Sequence, residues 1–301
     1  MRFLIYTHRY DVNSGGLIVL HFLCHMLNTL GYEAYLWPSY RPVFKKKEPF
    51  KSLFRFLKYY KKEMHRPFRI NQNWNTPILK NIYEFEDIIV VYSEIVDGNP
   101  LELKNIVRWL LHKPGFHNGK INFGENDFIF GYGEKFSTSE YPIKEINTLY
   151  LTYIMTDIYS QTNFNDRQGS CHMIRKGNNK KSIHPKDSLL VDGMTHEELN
   201  KIFNEKKYFI SYDSYTFYSI YAALCGCISI VVPEEGITKE KWHPKIEDRY
   251  GLAYGFDDIE YAKDTKHKMI RYIIEQQELN LKSVKHFVEA CKKYFSIGNL
   301  E

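Results

Sequence analysis

The opening of the chain constrains the fold more than any other stretch. Residues 3–7 (FLIYT) form a short apolar run suited to a buried strand. A Gly-rich turn at Ser14-Gly15-Gly16 follows, and residues 17–30 carry a helical pattern that Gly31 can close. A second strand, 33–37, begins after only Gly31 and Tyr32. Strand, helix and strand in that succession predict parallel pairing with a right-handed crossover, which is the α/β class.

The pattern continues downstream. Residues 87–92 (DIIVVY) are a continuous apolar run of the kind buried on both faces of a sheet, and they leave Ser93-Glu94 at the strand's carboxyl end. Asn99-Pro100 reads as an N-cap with Pro at the first helical position, which predicts a helix over 101–111 ended by Pro114-Gly115. Runs at 128–130 and 149–154 extend the sheet. A polar stretch, 160–169 (SQTNFNDRQG), reads as a linker. Strands at 171–174, 208–212 and 228–232 then alternate with helices at 195–204 and 216–225, and a helical pattern runs from 257 to about 295. The expectation is two Rossmann-like domains, 1–160 and 161–301, the second carrying the C-terminal helices.

Composition excludes several classes. With 44% hydrophobic and 26% charged residues, the chain can bury a core and is neither disordered nor fibrous. The 24 Tyr and 20 Phe suit stacking on planar or sugar-like ligands, and equally suit plain core packing. Five Cys without metal-like spacing suit a reduced, cytoplasmic chain, and no apolar run is long enough to span a membrane. Cys225 and Cys227 are too close for a CxxC-type zinc pair, and Cys171 and His172 point to opposite faces of a strand, so no metal is expected.

Charge is concentrated rather than spread. Residues 41–69 hold 11 basic and two acidic side chains, a local +9 within a chain of net +5, which leaves −4 for the remainder. Within that segment Phe50, Leu53, Phe54, Leu57, Tyr60 and Met64 recur at helical spacing, with Lys51, Arg55, Lys58, Lys61 and Lys62 on the other faces. A basic amphipathic helix of this kind can lie on an anionic membrane surface, or it can pack its apolar face on its own domain. Nucleic acid is the rival partner, but the acidic remainder and the absence of a nucleic-acid motif argue against it.

The stretch 208–233 (YFISYDSYTFYSIYAALCGCISIVVP) joins a buried strand, an acidic turn, a hydroxyl-bearing helix start and a Gly-ended helix running into another strand. Thr216 is either a simple cap or, with the free N–H groups of the helix start, part of a phosphate site. Arg175-Lys176-Gly177, with Lys180, Lys181 and His184, is either a solvated loop or a set of cations facing that helix start. Glu94 can serve as acid or base, position a sugar, or cap the Asn99 helix. Ser14-Gly15-Gly16 lacks the GxGxxG spacing, and Asp11 in the same loop can contact a ligand or stabilise the turn.

The 208–233 stretch resembles the donor-site signature of GT-B glycosyltransferases, in which two acidic residues separated by seven precede a small-residue helix ending in Gly. Asp213 takes the first acidic position, and Tyr221 stands where the second would be, followed by Ala222, Ala223, Leu224, Cys225 and Gly226. More broadly, the chain is similar to bacterial surface-polysaccharide glycosyltransferases in three blocks: SEIVDGNPLELKNIVRWLLHKPG (93–115), YDSYTFYSIYAALCGCISIVVPEEGITKEKW (212–242) and YGLAYGFDDIEYA (250–262). The resemblance implies two Rossmann-like domains facing a cleft and a metal-independent transfer from a nucleotide-sugar donor to a glycan or lipid-linked acceptor. It implies donor contacts at Arg175, Lys176, Asp213, Thr216, Tyr221, Gly15 and Gly16, and acceptor or cleft contacts at Asp11 and Asn99. Glu94 would be the catalytic carboxylate, and no organic cofactor is expected. The alternative is a non-catalytic nucleotide-sugar or membrane-surface binding protein on the same fold.

Overall fold

A computed structural model describes residues 1–85, 87–117, 119–132 and 147–296. The chain divides into two compact units, Met1–Tyr153 with Glu278–Glu301, and Ile154–Gln277. The division falls after Tyr153 where the sequence suggests 160, so the polar stretch 160–169 lies wholly inside the second unit and its end enters β7 (Gln168–Met173). It also differs at the end of the chain. Helix α6 (Ile259–Phe295) is one uninterrupted element, and its residues beyond Gln277 are grouped with the first unit.

The first unit holds a parallel sheet of β1 (Arg2–Thr7), β2 (Glu33–Pro38), β3 (Ile88–Ser93), β4 (Asn105–Leu110), β5 (Phe128–Gly131) and β6 (Asn147–Thr148), in the order β2-β1-β3-β4-β5-β6 among the described residues. All six residues of β3 are buried, as expected for a strand covered on both faces. On one face Phe3, Ile5, Ile89, Val91 and Trp109 pack with Leu20, Leu23 and Leu27 of α1 (Gly15–Thr29) and with Val284, Phe287 and Val288 of α6. On the other, Leu4, Trp37, Val90, Tyr92 and Ile106 form a second cluster.

Residues 105–110 form a strand, where the sequence pattern predicts a helix over 101–111. Asn99 is not a helix cap: its Oδ1 accepts the Tyr92 hydroxyl at 3.0 Å and the Leu103 N–H at 3.3 Å, while its Nδ2 donates to the Leu103 carbonyl at 2.8 Å. That loop ties off a turn. Glu102, at φ 57, takes a left-handed conformation that no helix interior accepts. The β-branched and aromatic residues of NIVRWL then pair with β3 and β5. Residues 149–154, expected as a strand, follow the short β6 with Leu149 and Leu151 buried but outside any strand.

The second unit holds β7, β8 (Leu189–Leu190), β9 (Lys206–Ser211), β10 (Ile228–Val231) and β11 (Leu252–Tyr254), all parallel, in the order β11-β10-β9-β7-β8. Helix α3 (His196–Glu205) begins with a capping box, the Thr195 Oγ1 accepting the Glu198 N–H and Glu198 Oε2 accepting the Thr195 N–H. Helix α4 (Tyr218–Leu224) and the short α5 (Lys239–Trp242) complete the alternation. Both units are therefore Rossmann-like: in each, the first strand lies between the second and the third. In open α/β sheets, ligands bind outside the carboxyl ends of the strands beside that reversal.

Candidate binding cavities at the carboxyl ends of the sheets

In the second unit a cavity of about 810 Å³ opens at the carboxyl ends of β7, β9 and β10, lined by Lys176, Lys180, Lys181, Asp213, Ser214, Glu234 and Glu235 among others. Its loop is held from both sides. Asp192 accepts the N–H groups of Ile174 and Arg175, each at 2.8 Å, and Arg175 sits at φ 43. The Tyr212 hydroxyl accepts the N–H of Ile183 at 2.7 Å and lies 2.8 Å from His184 Nδ1. His184 in turn stacks on His172 with ring centroids 3.6 Å apart. Gly177 lies so close to the Tyr212 backbone that a Cβ would fall 2.2 Å from its carbonyl oxygen.

Lys180 is the anchor of this wall. Its ammonium donates to Ser214 Oγ at 2.6 Å and to the Val232 carbonyl at 2.7 Å, and stands 3.9 Å from Glu234. Burial lowers its pKa, while Glu234 and Asp213 push the other way. The opposite wall is braced by Trp242, whose indole donates to the Ser214 carbonyl at 2.8 Å and stacks on Tyr254. The Tyr254 hydroxyl accepts the Glu234 N–H at 3.1 Å. The second and third sequence blocks thus meet around one cavity.

The expected donor residues fall into two groups. Lys176 and Asp213 line the cavity, and Arg175 joins them through an ion pair to Asp213 at 3.8 Å, with its guanidinium 5.2 Å above the Tyr218 ring. Thr216 and Tyr221 stand outside the cavity's lining. Thr216 Oγ1 accepts the Tyr218 N–H at 3.3 Å, while Tyr221 is buried with its ring stacked on Tyr159 at 4.3 Å. Ser214, Glu234 and Glu235 were not singled out from sequence. The signal was present for the glutamates, because Pro233-Glu234-Glu235 follows an apolar strand as Glu94 does.

In the first unit a cavity of about 360 Å³ lies beside the carboxyl ends of β1 and β3, lined by Tyr6, Thr7, His8, Ser39, Tyr40, Ser93 and Asp97 among others. Glu94 turns away from it: 5% exposed, it accepts the Leu111 N–H at 3.0 Å beyond the end of β4. Burial raises the Glu94 pKa, partly offset by the Leu111 N–H and by His117 and His112. Gly15 and Gly16 open α1, whose N-cap Ser14 makes no side-chain cap bond; Gly16 approaches Leu111, and Gly15 has open space beside it. Asp11 forms a turn by accepting the Asn13 N–H at 2.9 Å, and it lines a smaller adjoining cavity with Arg9, Lys62 and Arg66.

Helix α2 (Pro49–His65) faces the protein with Ser52, Phe56 and Tyr59. Its apolar stripe points the other way: Phe50 is 86% exposed, Leu57 59% and Met64 83%, with Leu53, Phe54 and Tyr60 also exposed. Lys51 and Arg55 reach back to Glu48, and Lys58 lies over the Phe54 ring. Lys62 instead sits 4.4 Å above the Tyr40 ring. Among the described residues no helix is long and apolar enough to cross a membrane, and no group of three or more His, Cys, Asp or Glu could hold a metal ion.

No protein-family model matches the chain, and no curated protein matches it. Among solved structures, the chain is similar to the sucrose-phosphate synthase from Thermosynechococcus elongatus, at 10% identity over 99% of this chain and 98% of that one, with a TM-score of 0.42. The functional reading rests on the cavities themselves.

Proposed function

We propose that the protein is a GT-B glycosyltransferase that moves a sugar from a nucleotide-sugar donor to a growing bacterial cell-surface glycan. The observation that carries this reading is the second-unit cavity, where Lys176, Lys180 and Lys181 converge with Asp213, Glu234 and Glu235 beside the strand-order reversal. A departing nucleoside diphosphate gains negative charge as the glycosidic bond breaks. Cations fixed before the reaction stabilise that charge without reorganising. Lys180, already bonded to Ser214 and Val232, holds the loop in place, leaving Lys176, Lys181 and Arg175 to meet the phosphates. The carboxylates suit ribose and sugar hydroxyls. These cations can supply the neutralisation a divalent ion gives elsewhere, so turnover is expected to survive chelation.

In the first unit Glu94 remains the acid–base candidate by its place after β3 and its raised pKa, and to reach a ligand hydroxyl its carboxyl must exchange the Leu111 N–H for that hydroxyl. The exposed stripe of α2, flanked by Lys51, Arg55, Lys58 and Lys61, would rest on the cytoplasmic face of an anionic membrane where a lipid-linked acceptor is presented. Nucleic acid has no part in this reading.

The test is a thermal-shift screen of nucleoside diphosphates and nucleotide-sugars, followed by donor hydrolysis in EDTA. Ligand at a hundredfold its Kd stabilises the folded chain by about 2.7 kcal/mol. A chain that binds the donor and releases no sugar is a binding protein on the same fold. A chain that binds no nucleotide refutes the reading.

A further inference from the structure

The loop after β1 and the end of α2 enclose a cavity of about 250 Å³ lined by His8, Arg9, Asp11, Tyr40, Lys62 and Arg66. Arg9, Lys62 and Arg66 make no ion pair among the described residues. The carboxylate nearest in sequence to Lys62 and Arg66 makes no ion pair with either among the described residues. Glu63 accepts the Tyr40 hydroxyl at 2.9 Å on one oxygen and the Phe68 N–H at 2.7 Å on the other. Asp11, the one carboxylate lining the cavity, accepts the Asn13 N–H within its own turn. Lys62, itself exposed, lies over the Tyr40 ring at 4.4 Å. The local potential registers on a neighbour: burial, and then the charge of Lys62, lower the pKa of His8.

Three cations, against Asp11 in the lining and Glu63 behind Tyr40, converge on a concave space from two separate elements and leave a net positive receptor for an oxyanion. The space also continues into a second one. His8, Leu17 and Tyr40 line both this cavity and the roomier, mostly apolar cavity beside the ends of β1 and β3. A ligand occupying both would place a neutral, sugar-sized body beside Tyr6, Thr7 and Ser93 and an anionic group among the cations.

We infer that this pocket binds a phosphomonoester, and that the acceptor is therefore a phosphorylated molecule whose phosphate docks on Arg9, Lys62 and Arg66. The phosphate site stands on its own geometry; its attribution to the acceptor rests on the glycosyltransferase reading. The experiment titrates the full chain with inorganic phosphate and with glycerol 3-phosphate, by calorimetry and by hydrogen-exchange mass spectrometry. Three proteins are compared: wild type, Arg9→Gln/Lys62→Gln/Arg66→Gln, and the donor-cavity variant Lys176→Gln/Lys181→Gln. The expected result is ligand-induced protection at residues 8–14 and 62–66, an affinity loss of roughly tenfold or more in the triple variant, and protection at those residues intact in the donor-cavity variant. Unchanged affinity in a folded triple variant, or protection confined to 175–184, overturns the site. Nucleoside diphosphate binding, measured on the same proteins, reports separately on the donor reading: if it is absent while phosphate still protects 8–14, the pocket stands and its assignment to an acceptor falls.

Discussion

Gly177→Ala should disable the donor cavity by steric means alone. Gly177 has no positive φ, so Ala can adopt its backbone conformation; the obstacle is space. A Cβ there would lie 2.2 Å from the Tyr212 carbonyl oxygen, 2.3 Å from its carbonyl carbon and 2.6 Å from its Cβ. Ordinary contact begins at 3.4 Å, so the loop must retreat by at least 1.2 Å, the difference from 2.2 Å. Tyr212 cannot yield, because its N–H is bonded to the Met173 carbonyl and its neighbour Ser211 pairs with β10. A retreating loop strains the Gly177 N–H bond to the Ile174 carbonyl and the two short bonds of the Lys180 ammonium. Overpacking and one lost charged hydrogen bond together cost about 2 to 4 kcal/mol. The assays are urea unfolding and titration with a nucleoside diphosphate, which should lose roughly tenfold or more in affinity as the lysines are displaced. Gly193→Ala is the control. Its φ of +81 strains an alanine, but nothing lies within 4 Å of the added methyl, so stability should drop by about 1 kcal/mol with binding intact. If Gly177→Ala matches wild type in both stability and affinity, the loop is not held as described and the donor cavity loses its rigid wall.

Glu94→Gln separates chemistry from folding. Because burial raises the folded pKa above the ordinary 4.5, the folded chain binds this proton more tightly than the unfolded one, and stability falls as pH rises through that window. The amide keeps an acceptor for the Leu111 N–H and removes this loss, so stability at pH 7 should equal or exceed wild type while kcat falls roughly a hundredfold; an unchanged kcat eliminates Glu94 as the base. His21 gives the opposite slope. Buried and with its pKa lowered to about 4 from 6.5, it favours the neutral form, and unfolding free energy should decline by about 2 kcal/mol between pH 7 and pH 5, a decline that His21→Asn should largely remove. For α2, Phe50→Ser/Leu57→Ser/Met64→Ser should abolish binding to anionic vesicles without changing the circular dichroism spectrum, since all three side chains are exposed; vesicle binding equal to wild type would remove the stripe from the membrane reading.

What could be read from the sequence divides along physical lines. Strands β1, β3, β9 and β10 were legible because their apolar runs are continuous, and α3 because Thr195 and Glu198 form a cap within four residues. These signals are local. Strand β4 was lost to a misleading one: Asn99-Pro100 has the chemistry of a helix start, but the Asn99 side chain is claimed by Tyr92 and Leu103, and Tyr92 belongs to another strand. The amphipathic period of α2 was visible, but its outward orientation depends on Ser52, Phe56 and Tyr59 taking the inner face. In the donor cavity, Lys180 could be named as one cation of a loop. Its role as anchor depends on Ser214 and on the Val232 carbonyl, 34 and 52 residues away. No spacing rule reaches that far.

The two sheets also share a chemical arrangement that their order alone does not dictate. Each first strand is followed two residues past its end by an arginine, Arg9 after β1 and Arg175 after β7, and each third strand by a carboxylate, Glu94 one residue past β3 and Asp213 two past β9. In the second unit the two meet, Arg175 lying 3.8 Å from Asp213 with the arginine 38% exposed. A pair so long and so accessible holds at most about 1 kcal/mol, so an incoming diphosphate can take the arginine at little cost. In the first unit they do not meet. Glu94 is withdrawn onto the Leu111 N–H, and Arg9 is left with Lys62 and Arg66 around a cavity holding a single carboxylate. The same topology therefore yields one site whose arginine is paired until an anion takes it and another whose arginine has no carboxylate partner among the described residues. On electrostatic grounds the first unit should bind simple phosphate with the steeper dependence on ionic strength.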